Sequence, residues 1–136
     1  MLLPAEFSKD SEKILKELSF RLTKSNDAGM RKVYEWTNEL MKLILVYDRG
    51  YYECFLLPDK KPFENLSLIK LLRYIKNDNI FYQKELVDAD LSYTLPINDY
   101  LALFYKYYNL VKEFLETYDQ EAFDRFNKYK VHYHGI

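Results

Sequence analysis

Apolar residues recur along this chain with two different periods, and the changes between them mark out its elements. From Ser8 the spacing is helical: Ile14, Leu15, Leu18 and Leu22 form one stripe, while Lys9, Lys13, Lys16, Glu17 and Arg21 fill the rest of the surface. Ser8 is the expected N-cap, with Asp10 and Glu12 in the first turn, where negative charge complements the helix dipole. The polar run 24–29, closed by Gly29, reads as the helix stop. Residues 41–57 have another character, because two runs of strand-forming residues flank Asp48-Arg49-Gly50. This predicts a β-hairpin in which Gly50 supplies a positive φ and Asp48 bonds its own backbone, while Ile44, Val46, Tyr51, Tyr52 and Phe55 suit a pleated surface. Val33, Tyr34 and Trp36 fit either a short helix or a strand. A strand over 31–36 is preferred, since a lone hairpin is marginal in water and a third strand supports it. The expectation is a three-stranded antiparallel meander over 31–36, 41–47 and 51–57. Along its middle strand Leu43, Leu45 and Tyr47 share one side and Lys42, Ile44 and Val46 the other, so helices are expected to touch both faces.

Pro58 ends the third strand, and 59–62 is a surface loop. A helix follows, capped by Asn65, with Leu68, Ile69, Leu71, Leu72 and Ile75 inward and a break at 77–79. Residues 80–87 have room for a helical turn or two, and 88–94, without a period, read as a connector or a functional loop. From Pro96, with Thr94 or Asn98 as alternative caps, one long helix is predicted to run to about Thr117. Its apolar arc, through Tyr100, Phe104, Tyr108, Val111 and Leu115 and an adjacent row at Leu103, Tyr107, Leu110 and Phe114, is too broad for one partner. Thr117-x-x-Gln120 resembles a capping box for a last short helix with Phe123 and Phe126 inward, leaving 131–136 as a tail. Three to four helices thus follow the meander.

Composition narrows the class. With 136 residues, 49% hydrophobic, three glycines and four prolines, the chain is read as one α+β domain over 1–136 with no linker. Twenty basic residues against twenty-one acidic ones give a net charge of −1, which argues against nucleic acid as a partner. Cys54 is the single cysteine, expected as a buried thiol in a reducing compartment. The first six residues lack the basic start of a signal peptide, and no stretch approaches the ~18 apolar residues of a membrane span, so a cytoplasmic protein is expected.

Candidate chemistry is sparse. His132-x-His134 is the only histidine pair, without a further histidine or a cysteine motif to complete a metal shell, so no metal is expected. No other histidine serves as a general base, which leaves Cys54 without an activating partner. Glu85, Asp88 and Asp90, or Asp48 and Glu53, would supply the acid and base of a small carboxylate-based hydrolase, the alternative function. Structural roles account for them: Asp48 in its turn, Glu53 on a solvent-facing strand position opposite Arg31, Lys32 or Lys42, and the others in a solvated loop. No phosphate-cradling glycine motif occurs, so no cofactor is expected. The distinctive feature is fourteen tyrosines and nine phenylalanines; core and core-edge packing accounts for most of them, but the long helix carries aromatics on more than one side, so some tyrosine is expected to be exposed. Exposed aromatic area without catalytic groups points to protein binding, and Arg49, Tyr51, Tyr52, Tyr93 and Tyr107 are the candidate anchors, chosen for expected exposure. The expected function is a non-catalytic binding module, with an accessory subunit of a larger assembly as a further alternative.

Tyr34-Glu35-Trp36-Thr37-Asn38, followed by Tyr47-Asp48-Arg49-Gly50-Tyr51-Tyr52-Glu53-Cys54, resembles the small immunity proteins of bacterial polymorphic and contact-dependent toxin systems. The resemblance covers only the meander. It implies a cytoplasmic α+β domain without a catalytic site, whose strands and flanking helices bind and block a cognate toxin domain. The chain departs from the acidic antidotes of nucleases in being nearly neutral, which points away from a nuclease target.

Overall fold

Ser8 opens the first helix as expected: its hydroxyl accepts from the Ser11 amide at 3.0 Å, with Asp10 and Glu12 in the first turn. In the computed structural model, which describes residues 2–27, 29–76 and 95–129, this helix, α1, spans only Lys9–Glu17. It is stopped at Ser19, whose φ is 64°. The Ser19 amide donates to the Lys16 carbonyl at 3.0 Å and the Phe20 amide to that of Leu15 at 2.8 Å, the paired bonds of a Schellman motif. Buried Phe20 and Leu15 supply its apolar contact.

Beyond that stop the polar run is a strand. β1 (Arg21–Asn26) is the edge of a five-stranded antiparallel sheet with β2 (Arg31–Thr37), β3 (Met41–Asp48), β4 (Tyr51–Pro58) and β5 (Leu66–Ser67), in sequential order. The three-stranded expectation is corrected at both edges. An edge strand solvated on one side tolerates Arg21, Thr23, Lys24 and Asn26, and a two-residue strand leaves no alternation to read. A bulge at Thr23, between the Leu22 and Lys24 pairings, further blunts the open edge.

Tyr34 stands opposite Leu45 and Leu45 opposite Cys54, while Trp36, Leu43, Leu56 and Leu66 form the next row. This face joins Leu15, Leu68, Leu72, Tyr100, Phe104, Val111, Leu115 and Phe126 in one core. Ile44 and Val46 on the opposite face are buried but lie outside that core, so among the described residues the helices cover one face and not two.

α2 (Leu68–Ile75) is capped by Ser67, whose hydroxyl accepts from the Lys70 amide at 3.3 Å, rather than by Asn65. The long helix predicted from Pro96 is two, α3 (Ile97–Lys106) and α4 (Tyr108–Glu116), broken at Tyr107 with φ −110° and ψ 17°. The break lets α3 pack on α1 while α4 packs on α2. α5 (Gln120–Lys128) is capped by Asp119, which accepts from the Ala122 amide at 2.8 Å. Thr117 does not form the expected box; its hydroxyl turns back to the Phe114 carbonyl. Asn98, weighed above as a cap, instead joins α3 to α1: its carbonyl oxygen accepts from the Ser8 amide at 3.0 Å and the Ser11 hydroxyl at 2.7 Å, and its amide donates to the Glu6 carbonyl. Glu85, Asp88, Asp90, Tyr93, His132, His134 and the stretch 80–87 lie outside the described residues.

Candidate interaction surface

The β1–β2 and β3–β4 turns lie at the same end of the sheet, because every strand pairs antiparallel with its neighbour. Only Arg49 and Gly50 separate β3 from β4, with φ values of 53° and 89°, the two left-handed residues of a type I′ hairpin loop. The ladder then sets Arg31, Asp48 and Tyr51 in one cross-strand row, with Met30 one residue beyond Arg31. Two strand spacings make that row roughly 10 Å wide. Met30 is 80% exposed and Tyr51 64%, and Arg31 and Arg49 are exposed beside them. The result is an apolar and aromatic tip flanked by two guanidinium groups.

Of the five candidate anchors, Arg49 and Tyr51 are brought together here. Tyr52 is not exposed: it is 9% accessible, its ring 4.9 Å from that of Tyr47, and its carbonyl accepts from the Tyr100 hydroxyl at 2.9 Å. Burial also raises the Tyr52 phenol's pKa. The reason is the pleat, since adjacent strand residues face opposite sides and the helices cover only one. Tyr107 is 7% accessible at the α3–α4 break, with the ammonium groups of Lys76 and Lys106 lying 5.8 Å and 5.2 Å from its ring centre. Its expected exposure is likewise corrected, because the break turns this position inward. Met30 was missed from sequence; its signal was a large apolar residue directly after a turn glycine.

On the covered side of the tip, Glu6, Tyr47, Gly50, Tyr51, Tyr52, Leu95 and Pro96 line a cleft of about 300 Å³. Lys32 lies 5.7 Å from the Tyr47 ring centre and 3.9 Å from the Asp27 carboxylate, which also accepts from the Tyr34 hydroxyl. The phenol of Tyr34 is pushed well above its ordinary range by burial and then by Asp27. These contacts fix the base of the tip, while Met30 and Tyr51 at its outer end are open to solvent.

The remaining candidate groups take other roles. Lys42 and Lys32 do not pair with Glu53: Glu35 holds Lys24 and Lys42, each at 3.7 Å, while Lys32 turns to Asp27. Glu53 faces outward opposite Val46, diagonal to Asp48, and neither carboxylate lines the cleft. Cys54 is 4% accessible and burial alone pushes its thiol far above the range in which thiolate forms. No helix among the described residues is long and apolar enough to cross a membrane. Comparison of the chain with protein-family models, curated proteins and solved structures returns no match.

Proposed function

We propose that this chain is a non-catalytic protein-binding module of the bacterial cytoplasm, and specifically an immunity protein that binds and neutralises a cognate toxin domain. The hairpin tip carries the proposal. A methionine and a tyrosine largely open to water, beside two arginines and braced from below by packed tyrosines, have the composition of an interface centre rather than of an idle surface. The inert position of Cys54 supports a role without nucleophilic chemistry. An interface of about 1,600 Å² centred on such anchors reaches nanomolar affinity.

The test is co-expression with the product of the neighbouring gene, followed by copurification and a growth-rescue assay. Rescue is expected, and Tyr51→Ala combined with Arg49→Glu should weaken the complex by about a thousandfold, since two anchor losses of about 2 kcal/mol each sum to about 4 kcal/mol. Absence of both copurification and rescue sinks the proposal. Hydrolysis of a sugar or ester library, lost on replacing Asp88 or Asp90, would establish the carboxylate hydrolase in its place.

A further inference from the structure

A second cleft, of about 670 Å³, opens at the far end of the sheet, where α1 stops, β2 turns into β3 and α4 passes by. Its floor is tied by one side chain. The Asn38 carbonyl oxygen accepts from the amides of Leu40 at 2.9 Å and Met41 at 3.1 Å, which fixes the orientation of its amide. That amide donates to the Leu18 carbonyl and to the Tyr108 hydroxyl oxygen, each at 3.1 Å. Three elements are thereby joined, and the Asn38 side-chain amide has no hydrogen-bonding capacity left.

The consequence for Tyr108 is specific. Its oxygen is occupied as an acceptor, so its own hydrogen remains available to a further acceptor, and burial keeps that hydrogen in place by raising the phenol pKa. Arg21 at the start of β1 and Lys112 on α4 line the same cleft, both exposed and neither with an ion-pair partner among the described residues. Among the described residues Glu39 is the only acidic one in the lining, while Leu18 and Leu40 give it an apolar wall. Volume, a fixed polar floor, an unspent donor and surplus positive charge occur together in pockets that take small ligands, and a guanidinium with an ammonium suits oxyanions.

We propose that this cleft binds an organic anion, a carboxylate or phosphate carried on an apolar body. Arg21 and Lys112 neutralise the anionic group, the Tyr108 hydroxyl donates to it, and Leu18 and Leu40 hold the body. The proposal does not depend on the toxin-binding function, because the hairpin tip and this cleft are at opposite ends of the sheet.

Amide chemical shifts of the full chain, followed during titration with phenyl phosphate, benzoate and neutral benzyl alcohol, test it directly. Both anions should shift Ser19, Asn38, Glu39 and Leu40 saturably below about 10 mM, and benzyl alcohol should not. Arg21→Gln with Lys112→Gln should weaken binding at least tenfold, and Tyr108→Phe should weaken it severalfold while leaving Asn38 a neighbouring ring. Both charged positions are exposed, so unchanged shifts away from the cleft will show that the double variant is folded. A capped Glu-Phe dipeptide separates the two sources of such an anion: tighter phenyl phosphate binding assigns a free small molecule, and tighter dipeptide binding a protein side chain. Absence of saturable shifts, or shifts indifferent to charge removal, overturns the proposal.

Discussion

Ser19 and Gly50 both turn the chain through positive φ, yet one position carries a side chain and the other does not. At Gly50, φ is +89° and a Cβ would meet no atom within 4 Å, so the cost of substitution is one of backbone conformation alone. Gly50→Val should therefore lower stability by about 1–3 kcal/mol, read as a fall in the urea midpoint; an unchanged midpoint would refute the hairpin geometry. Ser19 presents the converse case, a side chain held in the left-handed region by a Schellman motif that ordinarily uses glycine. Ser19→Gly should raise stability by about 0.5–1 kcal/mol, read as a higher urea midpoint, as strain is relieved and part of the gain is returned to a more flexible unfolded chain. Tyr118 sets an alkaline limit. Its hydroxyl donates to the Pro62 carbonyl at 2.7 Å, and burial, with Glu64 nearby, raises its pKa from 10.0 to about 12. The folded state thus holds this proton more tightly than the unfolded state does. Its contribution is intact below pH 10 and is lost as pH rises towards 12, so unfolding midpoints should be flat to about pH 9.5 and then fall, less steeply in Tyr118→Phe.

The elements were legible where hydrophobic period and local chemistry agreed. The Ser8 cap, the strand at Arg31–Thr37 and the hairpin at Asp48–Tyr51 emerge from sequence because each has its turn or cap residue in place. β1 did not, since its exposed positions carry the polar residues of an edge and the helix before it ends without a glycine. The α3–α4 break has neither proline nor glycine, and only the pull of two packing partners reveals it. Site residues were less legible still: Tyr51 and Tyr52 are alike as residues and opposite in burial, a difference set by which sheet face the helices occupy. That asymmetry can be measured. Leu45→Ala empties the shared core and should cost about 3–5 kcal/mol, whereas Val46→Ala, on the face outside it, should cost about 1 kcal/mol. Equal losses in the two urea midpoints would place helices on both faces.

At the scale of the whole molecule, the sequential strand order governs how the chain reaches its fold. Each strand pairs with its neighbour in sequence, and the loops closed by β2–β3 and β3–β4 are only a few residues long, so this part of the structure forms with little loss of loop entropy. The Asn98 bridge is of the opposite kind: it spans ninety positions from Ser8 and requires α1 and α3 already to be docked. Because the bridge closes only once α1 and α3 are docked, it is expected on the native side of the folding barrier. Asn98→Ala should then cost about 1–3 kcal/mol in stability, almost all of it as faster unfolding with a nearly unchanged refolding rate in a denaturant chevron. A slowed refolding limb would instead put helix docking in the nucleus. One amide side chain, bonded to the Glu6 carbonyl beside the smaller cleft, would then set how long each molecule stays folded once made, and so its lifetime against proteolysis wherever cleavage outpaces reclosing.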